Sequence, residues 1–116
     1  MSKFVLDPIP LCDLAPEFAA FLENTLIDLD FPVLAATVTT MKVFGRCSCG
    51  DDDCASIYTS KMESLDPGER VSSILTSSRP SNKGMMIIST VNDERIDEIE
   101  IFDRRDLRRI LAKSFP

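Results

Sequence analysis

Residues 85–102 read MMIISTVNDERIDEIEIF, and this stretch decides the fold class. Met85 to Val91 is an apolar run rich in β-branched residues. Arg95 to Phe102 is a second run, and Asn92-Asp93-Glu94 between them are turn formers. That combination predicts an antiparallel hairpin. In its second strand Ile99 and Ile101 share one face by alternation, while Ile96 falls out of phase. A β-bulge near Asp97-Glu98 would restore the phase.

Upstream of the hairpin, residues 61–84 are poor in large apolar side chains and rich in Ser. Turn signals stand at Asp66-Pro67-Gly68 and at Arg79-Pro80-Ser81-Asn82. A structureless loop of that length does not suit a compact domain, so Arg70 to Leu75 is predicted to be a short edge strand. Met41 to Cys49 and Cys54 to Thr59 read as two further strands, turning at Gly50-Asp51-Asp52-Asp53.

The flanks are helical. Phe18, Phe21, Leu22, Thr25, Leu26 and Leu29 follow one helical face, which predicts a helix over Pro16–Leu29. Asp13 is its candidate N-cap, and Phe31-Pro32 ends it. Val33 to Thr40 is ambiguous: Leu34-Ala35-Ala36 favours helix and Thr37-Val38-Thr39-Thr40 favours strand. The chain closes with a predicted helix over Arg104–Lys113, with Asp103 as N-cap and Leu107, Ile110 and Leu111 as a narrow apolar stripe. Helices, then strands, then a helix predict an α+β fold. Its parts are an N-terminal helix or helices, an antiparallel meander of about four to five strands, and a C-terminal helix.

The chain has 116 residues, which predicts one domain spanning residues 1–116. Hydrophobic residues make up 44% and charged residues 28%, a balance that suits a folded globule and not a disordered chain. With no His in the sequence, Ser-His-Asp triads, Cys-His pairs and His-ligated metals are excluded. The net charge of −6 makes non-specific nucleic-acid binding unfavourable, because phosphate would be repelled. No apolar run is long enough to cross a membrane, and residues 1–10 do not read as a signal peptide. The expectation is a cytoplasmic protein with reduced thiols.

Cys47, Cys49 and Cys54 form the one constellation that could carry chemistry. A four-residue turn over 50–53 would set Cys49 opposite Cys54 and Cys47 on the same face, with Gly45 facing Tyr58. Four readings follow. The thiols are small buried core residues. They bind zinc, with Cys12 as a distant fourth ligand. Cys49 and Cys54 form a disulfide, which the compartment disfavours. One is a redox or nucleophilic thiol, which needs a nearby cation that Arg46, pointing to the other face, does not supply. The three consecutive Asp residues lack the alternate spacing of a calcium loop.

The segment Arg46-Cys47-Ser48-Cys49-Gly50-Asp51-Asp52-Asp53-Cys54-Ala55-Ser56-Ile57-Tyr58-Thr59 resembles a stretch in a group of small, uncharacterised bacterial proteins, R-C-x-C-G-x-x-x-C-A-x-x-Y-T. The likeness extends loosely over the last two thirds of the chain, through a C-terminal hairpin and a short helix. It implies a bacterial, stand-alone, single-domain protein in which the three Cys are a shared feature. It implies no mechanism.

Charge is distributed unevenly. Residues 1–60 carry 3 basic and 9 acidic side chains, residues 61–102 carry 5 and 8, and residues 103–116 carry 5 and 2. The last helix therefore opposes the rest. Arg104, Arg105, Arg108 and Arg109 on it are candidate partner-binding residues. The competing reading is a solvated face whose cations suit a helix C-terminus. The functional expectation is a small binding or regulatory protein that acts by protein–protein contact, without catalytic activity or cofactor. Its partner is another protein, with a second copy of the chain among the candidates. The alternatives are a zinc-binding protein using Cys47, Cys49, Cys54 and Cys12, and then a thiol redox enzyme.

Overall fold

The structure is a computed structural model and describes residues 7–47, 54–60, 68–77, 85–102 and 104–115. The chain opens with strand β1 (Ile9–Pro10), then helices α1 (Leu11–Leu14), α2 (Pro16–Asp28) and α3 (Pro32–Thr37). A 3₁₀ turn over Val38–Thr40 leads into β2 (Lys42–Val43), β3 (Gly45–Arg46) and β4 (Ile57–Tyr58). Strands β5 (Val71–Ser77), β6 (Met85–Val91) and β7 (Arg95–Ile101) precede the last helix, α4 (Arg105–Ser114). The fold is α+β, as the order of elements predicts.

The main sheet is antiparallel and runs β3-β4-β7-β6-β5. Its central hairpin turns at Asn92 and Asp93, both with φ of 56°, and the Glu94 N–H donates to the Val91 carbonyl at 3.1 Å. Two consecutive left-handed residues closed by that bond make a type I′ turn, whose twist matches the strands it joins. Ser89 pairs with Glu98 and Thr90 with Ile96, so Asp97 is the extra residue of a bulge. Ile96, Ile99 and Ile101 are consequently all buried in one core.

Directly opposed residues of an antiparallel pair share a face. Ile57 opposes Ile99, Ile99 opposes Ile88, and Ile88 opposes Ile74. Four isoleucines therefore form one row across β4, β7, β6 and β5. The helices cover this face: Leu22, Leu26, Leu34, Leu107 and Leu111 belong to the same buried cluster as Ile57, Ile88 and Ile99. Tyr58, Glu98, Ser89 and Ser73 form the parallel row on the second face.

Several sequence expectations need correction. Asp13 does not cap α2. It lies inside α1, which the Ala15 N–H closes onto the Leu11 carbonyl at 2.8 Å, and α2 opens on Pro16 after Ala15. The helix ends at Asp28, and Asp30 takes a left-handed φ of 67°. The Phe31 N–H then bonds Leu26 O and the Asp30 N–H bonds Ile27 O, the paired bonds of a Schellman motif. The ambiguous segment after Pro32 is helical throughout. The hydroxyls of Thr37, Thr39 and Thr40 each donate to the carbonyl three residues back, which satisfies β-branched residues inside a helical turn.

The predicted strand over Met41–Cys49 divides between two sheets. Lys42–Val43 pairs with β1, and only Gly45–Arg46 enters the main sheet. The turn predicted over 50–53, the Arg79-Pro80-Ser81-Asn82 turn and Asp103 lie outside the described residues. The N-cap position of α4 is Arg104.

Candidate functional site

The cysteine hairpin has the register its sequence predicts. Gly45 pairs with Tyr58 and Arg46 with Ile57, and the Cys47 N–H continues the ladder to the Ser56 carbonyl at 2.9 Å. Cys54 is buried, and its Sγ lies 3.4 Å from Ser56 Oγ. Ser56 Oγ in turn accepts the Ile101 N–H at 3.0 Å, which fixes this corner to β7. Cys47 is half-buried, and Cys12 is exposed on α1 with its Sγ 3.8 Å from the Val38 carbonyl. Cys12 and Cys54 are free thiols. Cys49 lies outside the described residues. Among the described residues no three Cys, Asp or Glu side chains come together as a metal-holding group.

The four arginines of the last helix separate into two kinds. Arg104 turns inward, with its side chain 11% exposed, bonded twice to the Asp106 carboxylate and with its guanidinium 5.5 Å from the centre of the Phe18 ring. Arg108 donates through Nη1 to the Cys54 carbonyl at 2.8 Å. These two hold α4 against α2 and against the cysteine hairpin. Arg105 and Arg109 are exposed. Arg46 lies on the helix-covered face and donates to the Phe115 carbonyl. The cation near Cys54 comes from α4, not from the neighbouring residue in sequence, and no local pattern could have indicated it.

A cleft of about 280 Å³ lies beside Thr37, Thr40, Lys42, Thr59 and Arg95. Its three threonine hydroxyls and its arginine are already engaged. The Thr37, Thr40 and Thr59 hydroxyls donate to the Leu34, Thr37 and Ile96 carbonyls, and Arg95 pairs with Glu69 and Asp97. Among the described residues no buried side-chain nitrogen or oxygen lacks a partner, so none is left aimed at a ligand.

The remaining feature is the β5 edge. Strand β5 pairs with β6 along its whole length, and among the described residues it has no strand on its other side. Its seven residues, VSSILTS, carry no charge and no proline. Val71 is 57% exposed and Leu75 is 65% exposed. Natural edge strands are ordinarily blunted by charges, prolines or bulges, and this one has none of these. The sequence predicts an edge strand here over Arg70–Leu75, and the observed strand lies at the edge but runs two residues further, to Ser77.

No protein-family model matches the chain, and no significant match appears among curated proteins or solved structures. Among the described residues no helix is long and apolar enough to cross a membrane.

Proposed function

We propose that this is a small cytoplasmic binding or regulatory protein that acts by protein–protein contact and has no catalytic activity. One observation carries the reading: β5 presents an uncharged seven-residue edge with Val71 and Leu75 in solvent. An extended segment of a partner adds to such an edge through main-chain hydrogen bonds, with side-chain pockets giving selectivity. The Arg104 and Arg108 contacts favour this edge over the last helix as the docking surface, because both cations are spent on internal bonds.

The test is affinity capture with the intact protein and with a Ser73→Pro variant. The register puts the Ser73 N–H on the open side of β5, where proline removes a donor without touching the β6 ladder. A stoichiometric partner retained by the parent and lost by S73P is the expected result. A partner held equally by both would overturn the edge reading.

A second reading, zinc binding by Cys47, Cys49, Cys54 and Cys12, is favoured by the Gly45–Tyr58 register, which brings the two sides of the cysteine hairpin together. Native mass spectrometry of protein purified without chelator distinguishes it. Bound zinc with a Tm that rises on added metal supports a site. Metal-free protein with an unchanged Tm removes it.

A further inference from the structure

Resting on the reading that β5 is a contact edge, we infer that its occupant is a second copy of this chain, paired antiparallel β5 to β5 about a two-fold axis at Ile74.

The hydrogen-bonding phase of the strand sets the register. The Asn92 N–H donates to the Arg70 carbonyl at 2.8 Å, and the Thr90 hydroxyl approaches the Ser72 carbonyl at 3.5 Å. The pairing from Val71–Val91 to Ser77–Met85 runs without a break. Even-numbered residues of β5 therefore turn their backbone groups toward β6. Val71, Ser73, Leu75 and Ser77 turn theirs outward. One self-pairing uses all four: Val71 opposite Ser77 of the second copy, and Ser73 opposite Leu75. Ile74 then opposes Ile74 of the second copy at the axis, as a non-hydrogen-bonded pair whose side chains lie closest.

Each face of the strand is complementary to itself in this register. On the helix-covered side, Ile57, Ile99, Ile88 and Ile74 already form a row, and the two-fold continues it into the same row of the second copy. Ser72 meets Thr76, hydroxyl against hydroxyl. On the second face Leu75 lies diagonal to Val71 and Leu75 of the other copy, so the most exposed apolar side chains of the sheet cover one another.

Charge argues for the same occupant. The chain carries −6 overall, yet β5 contributes none of it, so no like charges meet across the axis. The acidic residues of the second face, Glu98 and Glu100, sit on β7, two strands in and roughly 10 Å from the edge. On β5 itself a basic segment would find no carboxylate. An uncharged strand matches, and β5 is itself such a strand.

Sedimentation equilibrium across low to high micromolar concentration tests this on the full chain, with S73P, Leu75→Lys and Val33→Lys variants. Val33 is 58% exposed on α3 and serves as the control. The expected result is a reversible dimer of the 12.9 kDa chain, unchanged in V33K. In S73P two donors are lost across the axis, and the dimer should weaken by about thirty-fold. L75K, which sets two ammonium groups near the axis, should also weaken it. Far-ultraviolet circular dichroism confirms that each variant remains folded. A monomer at every concentration, or a dimer indifferent to both S73P and L75K, overturns the inference. A monomer that still captures a different protein through an S73P-sensitive edge overturns only the second copy and leaves the contact function standing. If neither association depends on the edge, both fall.

Discussion

Arg46 on strand β3 donates its Nε to the carbonyl oxygen of Phe115, the residue that caps helix α4 at the far end of the chain. One guanidinium thereby joins the sheet to the last helix, and it does so beside a buried phenyl ring. A hydrogen bond from a charged donor to an otherwise unpaired helix-terminal carbonyl is among the stronger kinds. Arg46→Ala is expected to lower unfolding free energy by about 1.5–3 kcal/mol in urea titration. Arg46→Lys should recover only part of that, since an ammonium lacks the planar fork. Full stability in R46A would show that this bond adds nothing to the hold that the apolar stripe, Arg104 and Arg108 already have on α4.

Ser56 accepts the Ile101 N–H and contacts the Cys54 thiol. Its removal leaves a buried backbone donor without an acceptor. Ser56→Ala is expected to cost about 1–3 kcal/mol, despite being the smallest of changes. Amide exchange at Ile101 reports it directly: exchange should quicken in S56A, and protection equal to the parent would contradict the assignment.

Asp30 holds a left-handed backbone with φ of 67° to complete the Schellman bonds after α2. Glycine adopts that conformation without a Cβ penalty. Asp30→Gly is expected to stabilise the fold by about 0.5–1 kcal/mol, read as a rise in Tm. A fall in Tm would mean that the Asp side chain contributes more than its backbone conformation costs.

The isoleucine row predicts a gradient. Ile99 and Ile88 are fully buried, and Ile74 at the edge is only half-buried. Ile99→Ala and Ile88→Ala are each expected to destabilise by about 2–5 kcal/mol, and Ile74→Ala by less, when measured at dilute concentration. Equal losses at all three would show that Ile74 is enclosed in the single chain.

These residues also mark how far a sequence can be read. The hairpin over 85–102, its bulge, the β5 strand and the Gly45–Tyr58 register were legible because they depend on alternation, turn residues and loop length, all local properties. Asp30 was not legible, since nothing in an Asp announces a left-handed cap where Gly is usual. The division of Met41–Cys49 between two sheets was hidden for another reason: its partner β1 is two residues long and has no periodicity to detect. For the candidate site, local reading gathered the hairpin cysteines and named the arginines. It could not foresee that Arg104 would turn onto Phe18 or that Arg108 would reach Cys54. Those contacts span the chain and depend on how α4 docks.

The bulge at Asp97 gives β7 something like a reading frame. Ile96 lies on one side of it, Ile99 and Ile101 on the other, and one unpaired residue brings all three to the same face. Substitution at position 97 changes a side chain and keeps that frame. With the length unchanged, loss of the bulge would throw half the strand onto the wrong face and turn Glu98 and Glu100 toward the core, whereas deletion of Asp97 would leave Ile96, Ile99 and Ile101 alternating with Glu98 and Glu100 without any bulge. The extra residue is therefore what the present length of this strand requires, and a strand one residue shorter at this point would need none.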